Sequence, residues 1–240
     1  MAAEISIIVP VFNEADNVLP MAREVTAAFS KLGRDWELLF VDDASTDETP
    51  QRIIEAIRAD TRVRGVRHQR NAGQSAAVWT GIQSTAATIL CTLDGDLQND
   101  PADLPAMIEK LAQVDFVSGM RLNRQDTWVR KVSSRIARAA RKAALGVDFR
   151  DTGCAIRAFK RTALAGVFPF NGLHRFLPVL VHGGGAATLE IPVRHRARVA
   201  GVSKYGVWNR LGRGIYDLVA ISWYQKRRYR PVSTLELDPG

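Results

Sequence analysis

The chain reads as an α/β protein built on a mostly parallel central sheet with helices on both faces. Three observations predict it. Apolar, strand-like runs recur at residues 5–12, 36–41, 63–66 and 88–93; segments of helical periodicity separate them; and 240 residues supply one sizeable core. Strands alternating with helices form parallel neighbours, because a parallel pair needs a long crossover and a helix provides it.

The first run, ISIIVPVF, is apolar at nearly every position, as a strand buried on both faces should be, and it empties into Asn13 and Glu14. The second, WELLFV, empties into Asp42 and Asp43, and Asp47 and Thr49 ahead of Pro50 read as caps of the next helix. The third precedes Arg70 and Asn71. The fourth, TILCTL, ends at Asp94 and Asp96 with Gly95 between them and Gln98 two residues on. Ligands of parallel sheets sit beyond the carboxyl ends of strands, so four strands emptying polar residues onto one rim predict a nucleotide site. Asp94, Asp96 and Gln98 offer the oxygen ligands that a hard divalent cation takes, and such cations usually neutralise phosphates.

Beyond Ser118 the chain changes character. Residues 127–146 predict a helix with Lys131, Arg135, Arg138 and Lys142 on one face, ending at Gly146. A strand near residues 154–159, an apolar segment at 174–181 closed by three glycines, and a strand at 188–193 follow. RHRARVAGVSKYG reads as a mobile loop. The last helix, about residues 205–224, spaces Trp208, Leu211, Ile215, Leu218, Val219 and Trp223 as a stripe that reads first as core packing. The adjoining Lys226-Arg227-Arg228-Tyr229-Arg230 gives the same helix an aromatic-plus-basic end of the kind favoured at membrane interfaces.

The net charge of +8 hides a division: residues 1–118 hold 10 Lys/Arg against 18 Asp/Glu, whereas residues 119–240 hold 23 against 7. So one-sided a basic half predicts a polyanionic partner: a phosphate-rich substrate, an anionic membrane surface or nucleic acid. Cys91 and Cys154 have no metal-site spacing and read as core residues of a protein in a reducing cytoplasm. No run approaches the roughly 18 apolar residues of a membrane-spanning helix. MAAEISIIVPV lacks a basic signal-peptide start, so the chain is expected to be neither exported nor transmembrane.

Taken together, PVFNE (residues 10–14), VDDASTD (41–47), RNAGQSAA (70–77) and DGDLQNDP (94–101) resemble the family 2 inverting glycosyltransferases of glycosyltransferase-A fold. SGMR from Ser118, DTGCAIRAFKR from Asp151, HRFLPVL from His174 and EIPVRHRARVAGVSKYG from Glu190 resemble the polyprenyl-phosphate branch of that family. That branch includes dolichol-phosphate mannosyltransferases and bacterial undecaprenyl-phosphate sugar transferases. The match spans residues 5–230, which implies one catalytic domain over 1–230: a nucleotide-sugar half (1–118), an acceptor half (119–204), an amphipathic, membrane-facing helix (205–230) and a tail (231–240).

The resemblance implies that Pro10, Phe12, Asn13, Glu14 and Asp42 line the base and ribose of a sugar nucleotide and that Asp94 positions it beside the metal. Asp96 and Gln98 would ligate Mg²⁺ or Mn²⁺. Arg121, Arg130, Ser134 and Arg198 fall at the lipid phosphate, with Lys204 nearby, and Asp94, Asp96 and Arg121 become the catalytic set. Many bacterial members append two transmembrane helices. This chain resembles the shorter type, expected at the cytoplasmic face of the membrane and held there by surface residues or a membrane-protein partner. It also lacks the Q-x-x-R-W segment of processive synthases.

The implied reaction is metal-dependent inverting transfer of a hexose from GDP-mannose or UDP-glucose to polyprenyl phosphate. A hydroxyl acceptor would need a general base, but a phosphate monoester, with a second pKa of about 6, is already ionised at neutral pH and needs cations instead. Between Gly119 and Gly146 the sequence supplies eight Lys/Arg and one acid, Asp126. His174 and His195 are assigned no catalytic role, and Asp151 either faces the sugar or caps a strand. Three alternatives stand beside this reading. A transferase to soluble sugar or protein acceptors predicts a carboxylate base; a nucleic-acid module predicts aromatics interleaved with the basic cluster, where only Trp128 appears, so no specific nucleic acid is expected; and a non-catalytic scaffold predicts that Asp96→Asn changes nothing.

Overall fold

The computed structural model describes residues 3–121, 142, 146–196 and 207–227. Among these, one seven-stranded sheet comprises β1 (Ile5–Val11), β2 (Trp36–Asp42), β3 (Val63–Arg67), β4 (Ile89–Thr92), β5 (Phe116–Arg121), β6 (Arg157–Lys160) and β7 (Thr188–Val193). Their spatial order is β3-β2-β1-β4-β6-β5-β7, and β6 alone runs against the rest. The helices are α1 (Ala15–Phe29), α2 (Thr49–Ala59), α3 (Gln74–Gln83), α4 (Leu104–Lys110), α5 (Leu173–Gly183) and α6 (Val207–Arg227).

Strand alternation sorts the core into two layers. Ile5, Ile7 and Val9 of β1 face α1, α2 and α4, where Met21, Val25, Phe29, Ile53 and Met107 meet them. Ile8, Leu39 and Val41 face the opposite layer, built from α3, α5 and Ile221 of α6. Each such side chain contributes roughly 1.5–3 kcal/mol by leaving water. The layer on α3 depends on Gly81, because a Cβ there would run into Ile8 Cγ2. Where β6 reverses direction, Phe116 and Phe159 stand opposite each other in register and stack at 5.2 Å between ring centroids.

The first four strands match their sequence expectations to within one residue at each end, and their parallel pairing brings all four carboxyl ends to one edge. The strand expected at 154–159 begins later, at Arg157, and the apolar segment at 174–181 is helix α5. The basic helix expected at 127–146 lies outside the described residues except at its end. There Gly146 adopts φ +68° and donates its N–H to Lys142 O, as a terminal glycine should.

The core-packing reading of the α6 stripe fails at Val219 and Trp223, while the side chains of Trp208, Leu211, Ile215 and Leu218 lie outside the described residues. Val219 and Trp223 are both 65% exposed, and so is much of Tyr216, whereas the packed face carries Ile221, Tyr224 and Gln225. Tyr224 donates its hydroxyl to Gly166 O and meets Phe168 edge-on, and Gln225 Nε2 donates to Val179 O. These two polar side chains satisfy backbone carbonyls of the underlying domain, which fixes this end of the helix with Tyr216, Val219 and Trp223 outward. Among the described residues no helix is long and apolar enough to cross a membrane.

Candidate active site

At the rim, two residues past the end of β1, Asn13 takes a φ of +56° and turns the chain sharply. Its amide oxygen accepts the Thr46 N–H at 2.8 Å and its own N–H donates to Ser45 Oγ at 2.9 Å. Glu14 N–H donates to Thr49 Oγ1, and Asp47 Oδ1 accepts from both the N–H and the hydroxyl of Thr49; the N-cap of α2 is Glu48, which makes no side-chain cap bond, so Asp47 and Thr49 tie two loops together instead of capping the helix as expected. Asp42 is buried: Oδ1 accepts the Ser45 N–H and Oδ2 lies 3.0 Å from Arg67 Nε. Asp43, also buried, accepts from Ala72 N–H, Gly73 N–H and the His68 ring at 2.7–2.8 Å. It therefore clamps the RNAG turn that starts α3.

The Asp94-Gly95-Asp96 turn packs directly on the end of β1. A Cβ on Gly95 would lie 2.7 Å from Val11 Cγ1 and 3.1 Å from Pro10 O, so only glycine permits the approach. Leu97 takes φ +59° with its side chain buried, while Asp94, Asp96 and Gln98 remain half-buried around it. Asp94 Oδ1 accepts from Gln74 Nε2 at 2.6 Å, and Asp96 Oδ1 from Gln98 N–H at 3.2 Å. Among the described residues no three His, Cys, Asp or Glu side chains cluster for a metal. This glycine-built turn nevertheless fits Mg²⁺ or Mn²⁺, which commonly takes one or two carboxylates and completes its shell with phosphate oxygens and water.

Beside Asp94 a cavity of about 330 Å³ opens between β4, the start of α3, residues 152–157 and the start of α5. Arg157 forms part of its floor, 2% exposed; Nη2 donates to Thr152 O at 3.1 Å and Nε is buried without a hydrogen bond. Burial pushes this guanidinium down to about 10, which leaves it charged at neutral pH. On the wall, Ser75 Oγ accepts the Gly172 N–H at 2.9 Å and lies 2.6 Å from His174 Nδ1. Burial, aided by Arg175 and Arg157, pushes His174 down to about 4, so the ring is neutral in working conditions.

Arg121 lies at the end of β5. Its Nε and Nη2 form a fork on Asp151 at 2.7 and 2.9 Å, and this hydrogen-bonded partner raises its affinity for a proton further. Asp151 is thus an ion-pair partner rather than a strand cap. Its own N–H and that of Arg150 are held by Glu190 of β7. After β7 the chain crosses the metal-type loop: His195 bridges Asn99, Arg196 N–H donates to Gln98 O at 2.8 Å, and Arg194 and Arg196 converge on Asp100 Oδ2 at 3.2 and 2.9 Å. Arg196 also reaches Glu24, and Arg194 reaches Asp103. The start of the expected mobile loop is therefore pinned. Arg198 and Lys204, like Arg130 and Ser134, lie outside the described residues.

The structure brings Pro10, Asp94 and the DGD turn together with groups that sequence reasoning passed over: Gln74, Ser75, His174, Arg175 and Arg157. For Arg157 the signal was a charge inside the apolar run CAIRAF. Ser75 and His174 stand 99 residues apart, and neither carries a local sign of the contact.

Comparison with known proteins completes the picture. The family model described as "Glycosyl transferase family 2" matches residues 6–168. A dodecaprenyl-phosphate galacturonate synthase of Rhizobium johnstonii is 37% identical over 234 residues, 95% of this chain and 69% of that protein. An undecaprenyl-phosphate 4-deoxy-4-formamido-L-arabinose transferase of Aeromonas hydrophila is 35% identical over 90% of this chain and 66% of its own length. The chain thus spans about two thirds of the length of these relatives. Among solved structures, a mannosyltransferase from Pyrobaculum calidifontis with GDP-Man and Mn²⁺ superposes with a TM-score of 0.67 at 20% identity, covering 96% of this chain and 66% of that one. Glucosyl-3-phosphoglycerate synthase from Mycobacterium tuberculosis gives 0.66 at 19% identity, covering 98% and 83%. At these identities the likeness is one of fold, and the fold is the glycosyltransferase-A type.

Proposed function

Because the chain belongs to glycosyltransferase family 2, we propose that it moves a sugar from a nucleotide sugar to the phosphate of a polyprenyl phosphate, with inversion at the anomeric carbon. The observation that carries this reading is the hydrogen-bonded crossing of the acidic DGDLQND loop by the basic segment after β7. It ties the loop that would hold a diphosphate to the segment leading toward Arg198 and Lys204.

In this reading Pro10, Phe12, Asn13, Glu14 and Asp42 bind base and ribose, and Asp94 orients the donor. Asp96 and Gln98 would hold Mg²⁺ or Mn²⁺, whose charge would neutralise the departing diphosphate. Arg121 stays cationic in its fork with Asp151 and faces the acceptor side with Arg130, Ser134, Arg198 and Lys204. The acceptor oxygen is already ionised, so the site needs no general base, and His174, neutral at working pH, is not called on as one. GDP-mannose and UDP-glucose are the expected hexose donors, but the relatives' galacturonate and formamido-arabinose widen the class. Exposed Tyr216, Val219 and Trp223 beside Lys226 and Arg227 support a peripheral seat on the cytoplasmic face of an anionic membrane.

The test is transfer of radiolabelled sugar from nucleotide sugars, with Mn²⁺, to polyprenyl phosphate or to soluble sugars and proteins. Label is expected in the lipid fraction. Label only in soluble acceptors sinks the proposal.

A further inference from the structure

Behind Arg121 stands a second acid that the reaction above does not use. We propose that Glu190 is a positioning residue for the acceptor phosphate: it holds the turn that carries Asp151, and Asp151 aims Arg121; the proposal rests on the reading of Arg121 as a ligand of that phosphate.

Residues 150–153 belong to no strand or helix, so their backbone N–H groups need partners from elsewhere. Glu190 takes two in succession. Its Oε2 accepts the Arg150 N–H at 2.8 Å and its Oε1 the Asp151 N–H at 3.0 Å. A carboxylate engaged by two consecutive N–H groups fixes a turn both in place and in rotation, which one acceptor alone does not. From this turn Asp151 reaches back to the end of β5: Oδ2 accepts Arg121 Nε at 2.7 Å and the Arg121 backbone N–H at 3.3 Å, and Oδ1 accepts Nη2 at 2.9 Å. One acid therefore holds both the main chain and the side chain of Arg121.

The sheet closes this arrangement into a frame. β5 and β7 pair in parallel, with Ser118 opposite Glu190 and Arg121 opposite Val193, so the arginine and the acid behind its partner come from neighbouring strands. The turn bridges them. Gly153 belongs to the fit, because a Cβ there would lie 3.3 Å from Arg121 Nη2.

What the frame supplies is aim rather than charge. Residues 119–240 hold only 7 Asp/Glu against 23 Lys/Arg, yet two of those acids stand in line behind Arg121. Asp151 offsets the arginine's charge, a poor way merely to attract a phosphate, whereas a long side chain left unheld loses its rotamer freedom on binding and weakens it. The fork engages Nε and Nη2 and leaves the Nη1 end for an anion. Glu190 is itself an anion and is no ligand for a phosphate; it acts through the turn.

Titration of the full chain with undecaprenyl phosphate in detergent micelles, followed by tryptophan fluorescence and referenced to undecaprenol, isolates the share of binding due to the phosphate. Arg121→Gln should lower that share by about tenfold or more, and Glu190→Gln by about three- to tenfold, since a carboxamide accepts only one of the two N–H groups. Glu190→Asp keeps the charge but shortens the arm, and should lower it likewise. Thr188→Val alters the same face of β7 at a side chain bonded to His182 rather than to the turn, and should bind as the native chain does. In an Arg121→Gln background Glu190→Gln should cost nothing further. A full second loss in that background, native affinity in both Glu190 variants, an equal loss for undecaprenol, or the same loss in Thr188→Val overturns the proposal and leaves the role of Arg121 intact. Unchanged affinity in Arg121→Gln, or no preference of the native chain for the phosphate over the alcohol, overturns the reading of Arg121 and this proposal with it.

Discussion

Asp42 and Asp43 are adjacent and equally buried, yet they serve the rim differently. Asp43 spends both oxygens on the RNAG turn and His68, whereas Asp42 keeps Oδ2 beside Arg67. Sequence order alone gives no means of telling which aspartate faces a ligand and which clamps a loop. Asp96 is the sharper case, because its carboxylate is half-buried in the glycine-built turn and accepts the Gln98 N–H there. Asp96→Asn should keep the fold and its thermal midpoint while lowering turnover by about 10²–10³; full activity in a lipid-acceptor assay would falsify its assignment to the metal. His174 makes a prediction about stability. Its folded-state pKa of about 4 lies below the ordinary 6.5, so below pH 6.5 the unfolded chain binds a proton that the folded chain refuses. Stability should therefore be full above pH 6.5 and fall with pH to about 4, by up to about 3 kcal/mol. Urea melts across that range should show the slope in the native chain and a flatter one in His174→Asn.

At the scale of elements, β1, β2 and β4 and their polar exits were legible because a strand buried on both faces needs an unbroken apolar run, whereas the edge strand β3, VRGVR, showed only Val63 and Val66. The reversal at β6 was not, since a four-residue strand carries no sign of its direction. Nor was the crossing of residues 194–196 over the DGD loop. It depends on side chains from α1, the 3₁₀ turn at Pro101–Asp103 and the end of β7, which only the folded sheet brings together. Arg196 is half-exposed, so its ion pairs add little to global stability. Their value lies in holding the segment that leads toward Arg198. Arg196→Ala is expected to raise KM for polyprenyl phosphate several-fold, about 1 kcal/mol, with Kd for the nucleotide sugar unchanged. Asp100 gives the same crossing a pH limit. Burial works against its ionisation, but the Ala102 N–H and both arginines outweigh it and hold the carboxyl below its usual range. The crossing should then persist to below pH 4 and loosen only as pH falls through that lowered value. A KM for the donor that rises as much as KM for the lipid in Arg196→Ala would show that the crossing serves the DGD loop alone.

The whole molecule joins an acidic first half to a basic second half, and α6 adds the outward-facing Tyr216, Val219 and Trp223 to the latter. The packed face of α6 is held by Tyr224 and Gln225 through hydrogen bonds to Gly166 and Val179, so Tyr216, Val219 and Trp223 are not free to rotate inward. Tyr216, Val219 and Trp223 are spaced three and four residues apart and therefore share one face, which ends at Lys226 and Arg227. Aromatic rings with cations beyond them match the boundary between acyl chains and anionic headgroups. A lipid phosphate has to enter an active site while its chains stay in the bilayer, so a transferase of this kind gains by seating itself there. Vesicle sedimentation separates the two contributions. Binding to vesicles with anionic lipid should weaken with salt, by about 1 kcal/mol for each cation near the surface. Trp223→Ser together with Tyr216→Ser should weaken binding at every salt concentration and lower transfer to polyprenyl phosphate in vesicles, without changing affinity for the nucleotide sugar. If the double variant binds vesicles as tightly as the native chain, the exposed face of α6 is not the membrane seat, and the basic half alone must hold the protein to the lipid.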